Sequence, residues 1–157
     1  MNSISEWIRF ADAKAGATLA AQGLLASLLI PSLIGNKRII FASPVLLILV
    51  GLCFAFAIAS FLLCMRCITP RTKVKKSESV IFFSDIASAY PSPQTYRDAL
   101  ERLNKNESAV SEQLANQVWE NSSIAVNKFQ NSTWALRCFL FELLGIITIS
   151  ILWFFRY

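Results

Sequence analysis

Long uninterrupted apolar runs, separated by two polar connections, dominate the pattern along this chain. Ala15 to Ile34 is the first, Ile39 to Ile68 contains the second, and Trp134 to Phe155 is the third. A helix rises about 1.5 Å per residue and the hydrocarbon layer is about 30 Å thick, so roughly twenty apolar residues make one crossing. The runs do not alternate as barrel strands do, and backbone in lipid must satisfy its own hydrogen bonds, so each run predicts a helix. The expected architecture is an all-α membrane protein with three transmembrane helices (15–34, 44–68 and 134–155) and a short cytoplasmic helical hairpin between the second and third. The first run is too long for the core of a signal peptide, contains Pro31 near its end and is followed by charged residues, so it is expected to be retained.

Outside the runs the pattern becomes helical and amphipathic. Ile4, Trp7, Ile8, Ala11 and Ala15 recur at helical spacing, which starts the first helix in a cytoplasmic segment, 1–14, and carries it toward Pro31, where the ring bends or ends it. The segment 69–131 holds a candidate brief helix from Ser84 to just before Pro91. Ser92 and Pro93 then form a strong helix start, and Asn104 to Asn106 a turn. From Glu107 no Gly or Pro intervenes until Gly145, which predicts one helix continuous with the third span. On that helix Leu114, Val118, Trp119, Ser122, Ala125, Val126 and Phe129 share a broad arc expected to pack on its neighbours. Gln117, Asn121, Ile124 and Lys128 form another stripe, which faces water or lines a site.

Charge orients the chain. Arg66, Arg71, Lys73, Lys75 and Lys76 follow the second span, whereas the loop before it carries only Lys37 and Arg38. Under the positive-inside rule the N-terminus and central segment are cytoplasmic, and the C-terminus lies outside. Hydrophobic residues make 55% of the 157 positions and charged ones 16%, well under the roughly 25% of a soluble domain. The net charge of +5 then reads as attraction to anionic membrane lipids; seven acids in the central segment argue against nucleic acid as a partner.

The absence of histidine removes the common triads, most general acid–base chemistry and the commonest metal ligand. With no glycine-rich phosphate loop and no paired carboxylates in a cleft-like context, the chain is expected not to be an enzyme and to hold no catalytic residue, cofactor or metal. Cys64 and Cys67 have C-x-x-C spacing, but no second ligand pair accompanies them, and they read as small apolar packing residues. Glu142 lies inside the third span, where a charge is expensive. It is neutral and protonated, or meets Gln22 or another protomer in a pore or oligomer contact, or snorkels from a shallow position. Gly16, Ala17, Ala20, Ala21, Gln22, Gly23, Ala26 and Ser27 form a run of mostly small residues in the first span that suits close helix packing, and Gln22, Gly23, Ser122 and Glu142 are the candidate packing or oligomer contacts.

Three local motifs resemble one family. Trp7-Ile-Arg-Phe-Ala-Asp12-Ala-Lys14-Ala, continued by Leu19-Ala-Ala-Gln-Gly23, is similar to the helix entering the first span of the small membrane effectors of Pycsar antiphage systems. Phe83-Ser-Asp85-Ile86-Ala87 resembles their short loop motif, and Gln117-Val118, Ser122, Ile124-Ala125 and Lys128-Phe129 have the spacing of the helix leading into their last span. The resemblance implies an effector that binds cyclic CMP or cyclic UMP made by a partner pyrimidine cyclase, assembles as a homo-oligomer and impairs the inner membrane, so that the infected cell dies. No appended nucleotide-binding domain is recognisable, so the ligand site is expected in the short loop and the N-terminal helix. Such a site needs a cation for the phosphate, a flat apolar surface for the base and polar groups for its edge. Lys14 or Lys128 would meet the phosphate, Phe83 would stack, and Asp12, Asp85 or Gln117 would read base or ribose. The alternative is a non-signalling membrane anchor or assembly subunit for a cytosolic partner. An ion-coupled transporter built on Glu142 is disfavoured because three spans show no internal repeat.

Overall fold

The computed structural model describes residues 2–69, 80, 86 and 89–156. The described residues are almost entirely helical: α1 Asn2–Gly35, α2 Lys37–Ala42, α3 Pro44–Ile68, α4 Pro93–Asn104 and α5 Glu107–Arg156. Three of these, α1, α3 and α5, are long and apolar enough to cross a membrane. At 50 residues α5 is about 75 Å long, so it reaches far beyond the hydrocarbon layer at one end or both.

Helix boundaries follow local chemistry. Ser92 is an extended N-cap whose hydroxyl accepts from the Thr95 N–H while the Thr95 hydroxyl accepts from the Ser92 N–H; Pro93 follows in the first turn, where its missing donor costs nothing. Asn106 starts α5 in the same way, its side-chain oxygen accepting from the Ala109 N–H at 3.2 Å. The first helix runs through Pro31 instead of ending there. Its polar stop comes five residues later, where the Asn36 N–H and side-chain amide both donate to the Ser32 carbonyl. The short α2 was not expected from the sequence, because Lys37–Ala42 is too short to show a period.

Cross-helix contacts fall in successive levels that define an up-down-up bundle. Asp12, Cys67 and Lys128 meet at one level; Ser60 donates to the Ala135 carbonyl at 2.8 Å at the next; Gln22, Ala57 and Glu142 meet at a third; Cys53 lies against Gly145 beyond them. Along this series the residue numbers rise in α1 and α5 and fall in α3. The two outer-numbered helices therefore run parallel and α3 runs against them.

The core is built from small side chains. Ala11, Ala15, Cys64, Cys67 and Ala135 are fully buried, with Leu19 and Leu63 packed on them. In lipid there is no apolar drive between helices beyond that toward the solvent itself, so close backbone approach and dispersion hold the bundle, and small residues permit the approach. The C-x-x-C cysteines thus serve as packing atoms between α1 and α5. Large apolar residues point outward instead, Leu28, Phe54, Leu144 and Phe155 among them.

Gly145 has the tightest requirement. A Cβ there would collide with the Cys53 sulfur. Gly145→Ala should cost about 1–3 kcal/mol of stability in detergent, the range for overpacking, and Cys53→Ala in the same chain should restore most of the loss. Thermal unfolding of the two single variants and the double variant measures this coupling.

Candidate functional site

Polar groups between the helices gather at two levels. At the first, the Lys128 ammonium donates to both carboxylate oxygens of Asp12, at 2.7 and 2.8 Å, and thereby ties α5 to α1. Lys128 is only 15% exposed and Asp12 37%, so the pair is held partly away from solvent and screened less than a surface pair. The Cys67 thiol of α3 stands between them, within 3.4 Å of the Lys128 carbonyl and 3.8 Å of an Asp12 oxygen. All three long helices thus converge on one ion pair.

Beside it Lys14 lies over the ring of Phe129, 5.5 Å from its centroid, and Trp7 meets the same ring edge-on at 6.0 Å. This level therefore offers two cations and a cluster of aromatic faces. Spacing explains the arrangement: Ala11, Asp12 and Ala15 share the inward side of α1, and Lys128, Ser132 and Ala135 the inward side of α5.

The second level lies about 15 Å further along α1, ten residues on. There the Gln22 side-chain amide donates at 3.3 Å both to a Glu142 carboxylate oxygen and to the Ala57 carbonyl. Glu142 is 8% exposed, so it is enclosed by the bundle and does not snorkel outward. Arg137, five residues before it, stacks instead on Trp134, 4.8 Å from the ring centroid.

The sequence-based site residues are therefore only partly united. Asp12, Lys14 and Lys128 come together, but Asp12 and Lys128 bind each other, an arrangement that separate roles for them did not anticipate. Gln117 lies eleven residues before Lys128, about 16 Å along α5. It is half-buried, and its buried side-chain oxygen has no donor among the described residues. The stripe of Gln117, Asn121, Ile124 and Lys128 faces the bundle, all four being half-buried, whereas Trp119 of the apolar arc is 72% exposed. Packing of the arc on its neighbours is thus limited to the half-buried Ser122 and Ala125 and to the edge-on contact of Phe129 with Trp7. Ser122 is half-buried and donates to the Val118 carbonyl of its own helix. Gly23 is exposed, with open space where a Cβ would stand. Phe83, Asp85 and the helix start at Ser84 lie outside the described residues. Two contributors escaped the sequence-based site: Cys67, whose small-residue context read only as packing, and Phe129, whose ring was placed in the apolar arc.

Comparison with known proteins adds to this geometry. The family described as PycTM, Pycsar effector protein domain, matches residues 1–155. The chain belongs to the Pycsar effector family. It is similar to the Pycsar effector protein PtPycTM of Propioniciclava tarda, with 28% identity over 156 residues that cover 97% of this chain and 74% of that protein. No solved structure matches. A Pycsar effector is an antiphage defence protein that works with a cyclase and its cyclic-nucleotide signal, and three membrane-length helices agree with a transmembrane member of that family. It is not a family known for enzymatic activity.

Proposed function

We propose that this Pycsar effector senses a cyclic pyrimidine nucleotide, cyclic CMP or cyclic UMP, on the cytoplasmic side of the bacterial inner membrane and responds by impairing that membrane, so that the infected cell dies. The observation that carries the mechanism is the Asp12–Lys128 pair, which joins the first and last long helices beside a second cation and an aromatic face. A cyclic phosphodiester is an anion like the Asp12 carboxylate. It can replace that carboxylate on Lys128, gain Lys14, and lay its base near Phe129. Gln117, whose acceptor is unused among the described residues, lies about 16 Å from Lys128 along α5 and does not reach a base stacked near Phe129. Phe83 and Asp85 of the connecting segment complete the ligand's surroundings in this reading.

Exchange of one anion for another frees α1 from α5 without leaving Lys128 unpaired, and so limits the penalty of an orphaned, partly buried charge. The ligand then favours whichever arrangement of the spans lets Asp12 move away. Its effect is bounded by its preference for that arrangement over the latched one. Several copies acting together would multiply the disturbance of the bilayer.

Coexpression with a pyrimidine cyclase, followed by membrane potential, tests the reading. Depolarisation is expected with an active cyclase and not with an inactive one; an unchanged potential at full expression of the effector overturns it. If calorimetry in detergent detects no nucleotide binding and a cytosolic protein copurifies in stoichiometric amount, the chain is a membrane anchor instead.

A further inference from the structure

A groove of about 300 Å³ runs between α1, α3 and α5, from the Asn36 connection to Glu142. Its walls are apolar, with Leu33, Val50, Phe54, Ile146 and Trp153 among them, and Glu142 is the acidic group in its lining. Against an average of about 30 Å³ for a water molecule, the volume is that of a small molecule and not of a packing defect.

The polar partners of Glu142 are nearly exhausted. Both acceptors facing the Gln22 amide nitrogen, the Ala57 carbonyl and Glu142, fix that amide's orientation and use its two N–H donors. The remaining Gln22 oxygen is buried and accepts from no donor among the described residues. The ion pair formed among those residues is Lys128–Asp12, two levels away, and Arg137 is stacked on Trp134. A carboxyl group enclosed by the bundle therefore faces an apolar groove with an amide, and no cation, as its complement. A carboxyl group buried in this way is neutral unless a cation pairs it, and ionisable groups inside membranes mark sites.

We propose that this groove binds a membrane-dissolved primary ammonium amphiphile, its cationic head on Glu142 and its apolar body along α1, α3 and α5. An ammonium brings three donors and no acceptor, which matches an acceptor-lined end. A plain acyl chain fills the walls but gives the carboxyl group nothing, and an anionic head is repelled by it. The site lies about two helical levels from the Asp12–Lys128 pair and does not depend on nucleotide recognition.

Trp153 lines the groove and supplies the readout. The full chain in phosphatidylcholine nanodiscs, without nucleotide or cyclase, is titrated with 10-bromodecylamine, whose bromine quenches tryptophan, and with 10-bromodecanol as the uncharged control. Saturable quenching by the amine is expected, at least tenfold weaker for the alcohol and for Glu142→Gln, and lost in Trp153→Phe. Linear, unsaturable quenching, equal titration by amine and alcohol, or full amine affinity in Glu142→Gln overturns the proposal. Should Glu142→Gln fail to fold, Ala26→Phe decides: it fills the groove from α1 while keeping the acid, and undiminished amine binding in that variant overturns the proposal as well.

Discussion

Asp12→Lys is expected to lower stability in detergent by about 2–4 kcal/mol, because it sets two cations where a bidentate, charge-assisted pair stood and leaves Lys128 partly buried without its anion. The two partners are not equivalent. Lys128 is the more enclosed, so removing its partner with Asp12→Asn should cost more than Lys128→Met, which keeps the apolar stem and leaves Asp12 the easier access to solvent. Exchanging both charges, Asp12→Lys with Lys128→Asp, should recover at least half of the loss, and thermal unfolding of the four chains gives the coupling directly. Membrane potential in cells lacking the cyclase separates latch from simple brace. Asp12→Asn should depolarise without any nucleotide if the pair holds the resting arrangement, whereas a brace would give a less stable chain with normal potential.

That pair also shows how far the sequence could be read. The three spans were legible because the bilayer imposes a length and an apolar run meets it or does not. The capped start at Ser92 was legible for a similar reason, since proline after serine has few other uses. What one sequence does not encode locally is rotation of each helix about its axis. The arc from Leu114 to Phe129 seemed inward because it is apolar, yet in a membrane protein the exterior is apolar too, and Trp119 faces out while Gln117 and Lys128 face in. Asp12 and Lys128 were each recognised as unusual near a span, but their pairing depends on which faces meet across 116 residues. Glu142 carried the same ambiguity, since its contact with Gln22 depends on which faces meet across 120 residues. Pro31 was read as a bend or an end of the helix. Continuation past it leaves the Ser27 carbonyl without its helical donor, a cost local to one turn.

The second large effect distinguishes neighbours in sequence. Ala15 is fully buried where α1 meets Cys64, Cys67 and Ala135, so Ala15→Leu must push the three backbones apart and is expected to cost about 3 kcal/mol, the upper end for overpacking. Gly16, one residue on and about 100° round the helix, has open space where its Cβ would stand, and Ala20, Gly23 and Ser27 on the same side are exposed. Gly16→Leu should therefore leave the stability of the isolated chain unchanged or raise it by up to about 1 kcal/mol through helix propensity. The pair of variants then tests what that small-residue face does in the membrane. If lipid covers it, Gly16→Leu will behave as wild type when the cyclase is active. If a second copy of the chain packs there, the bulky side chain will abolish depolarisation while the purified chain remains as stable as before. The second result is expected, since small residues on an otherwise bulky apolar surface permit close approach of another helix and gain little against lipid tails. Crosslinking of the detergent-solubilised variants provides the independent check: wild type should give multimers that Gly16→Leu does not.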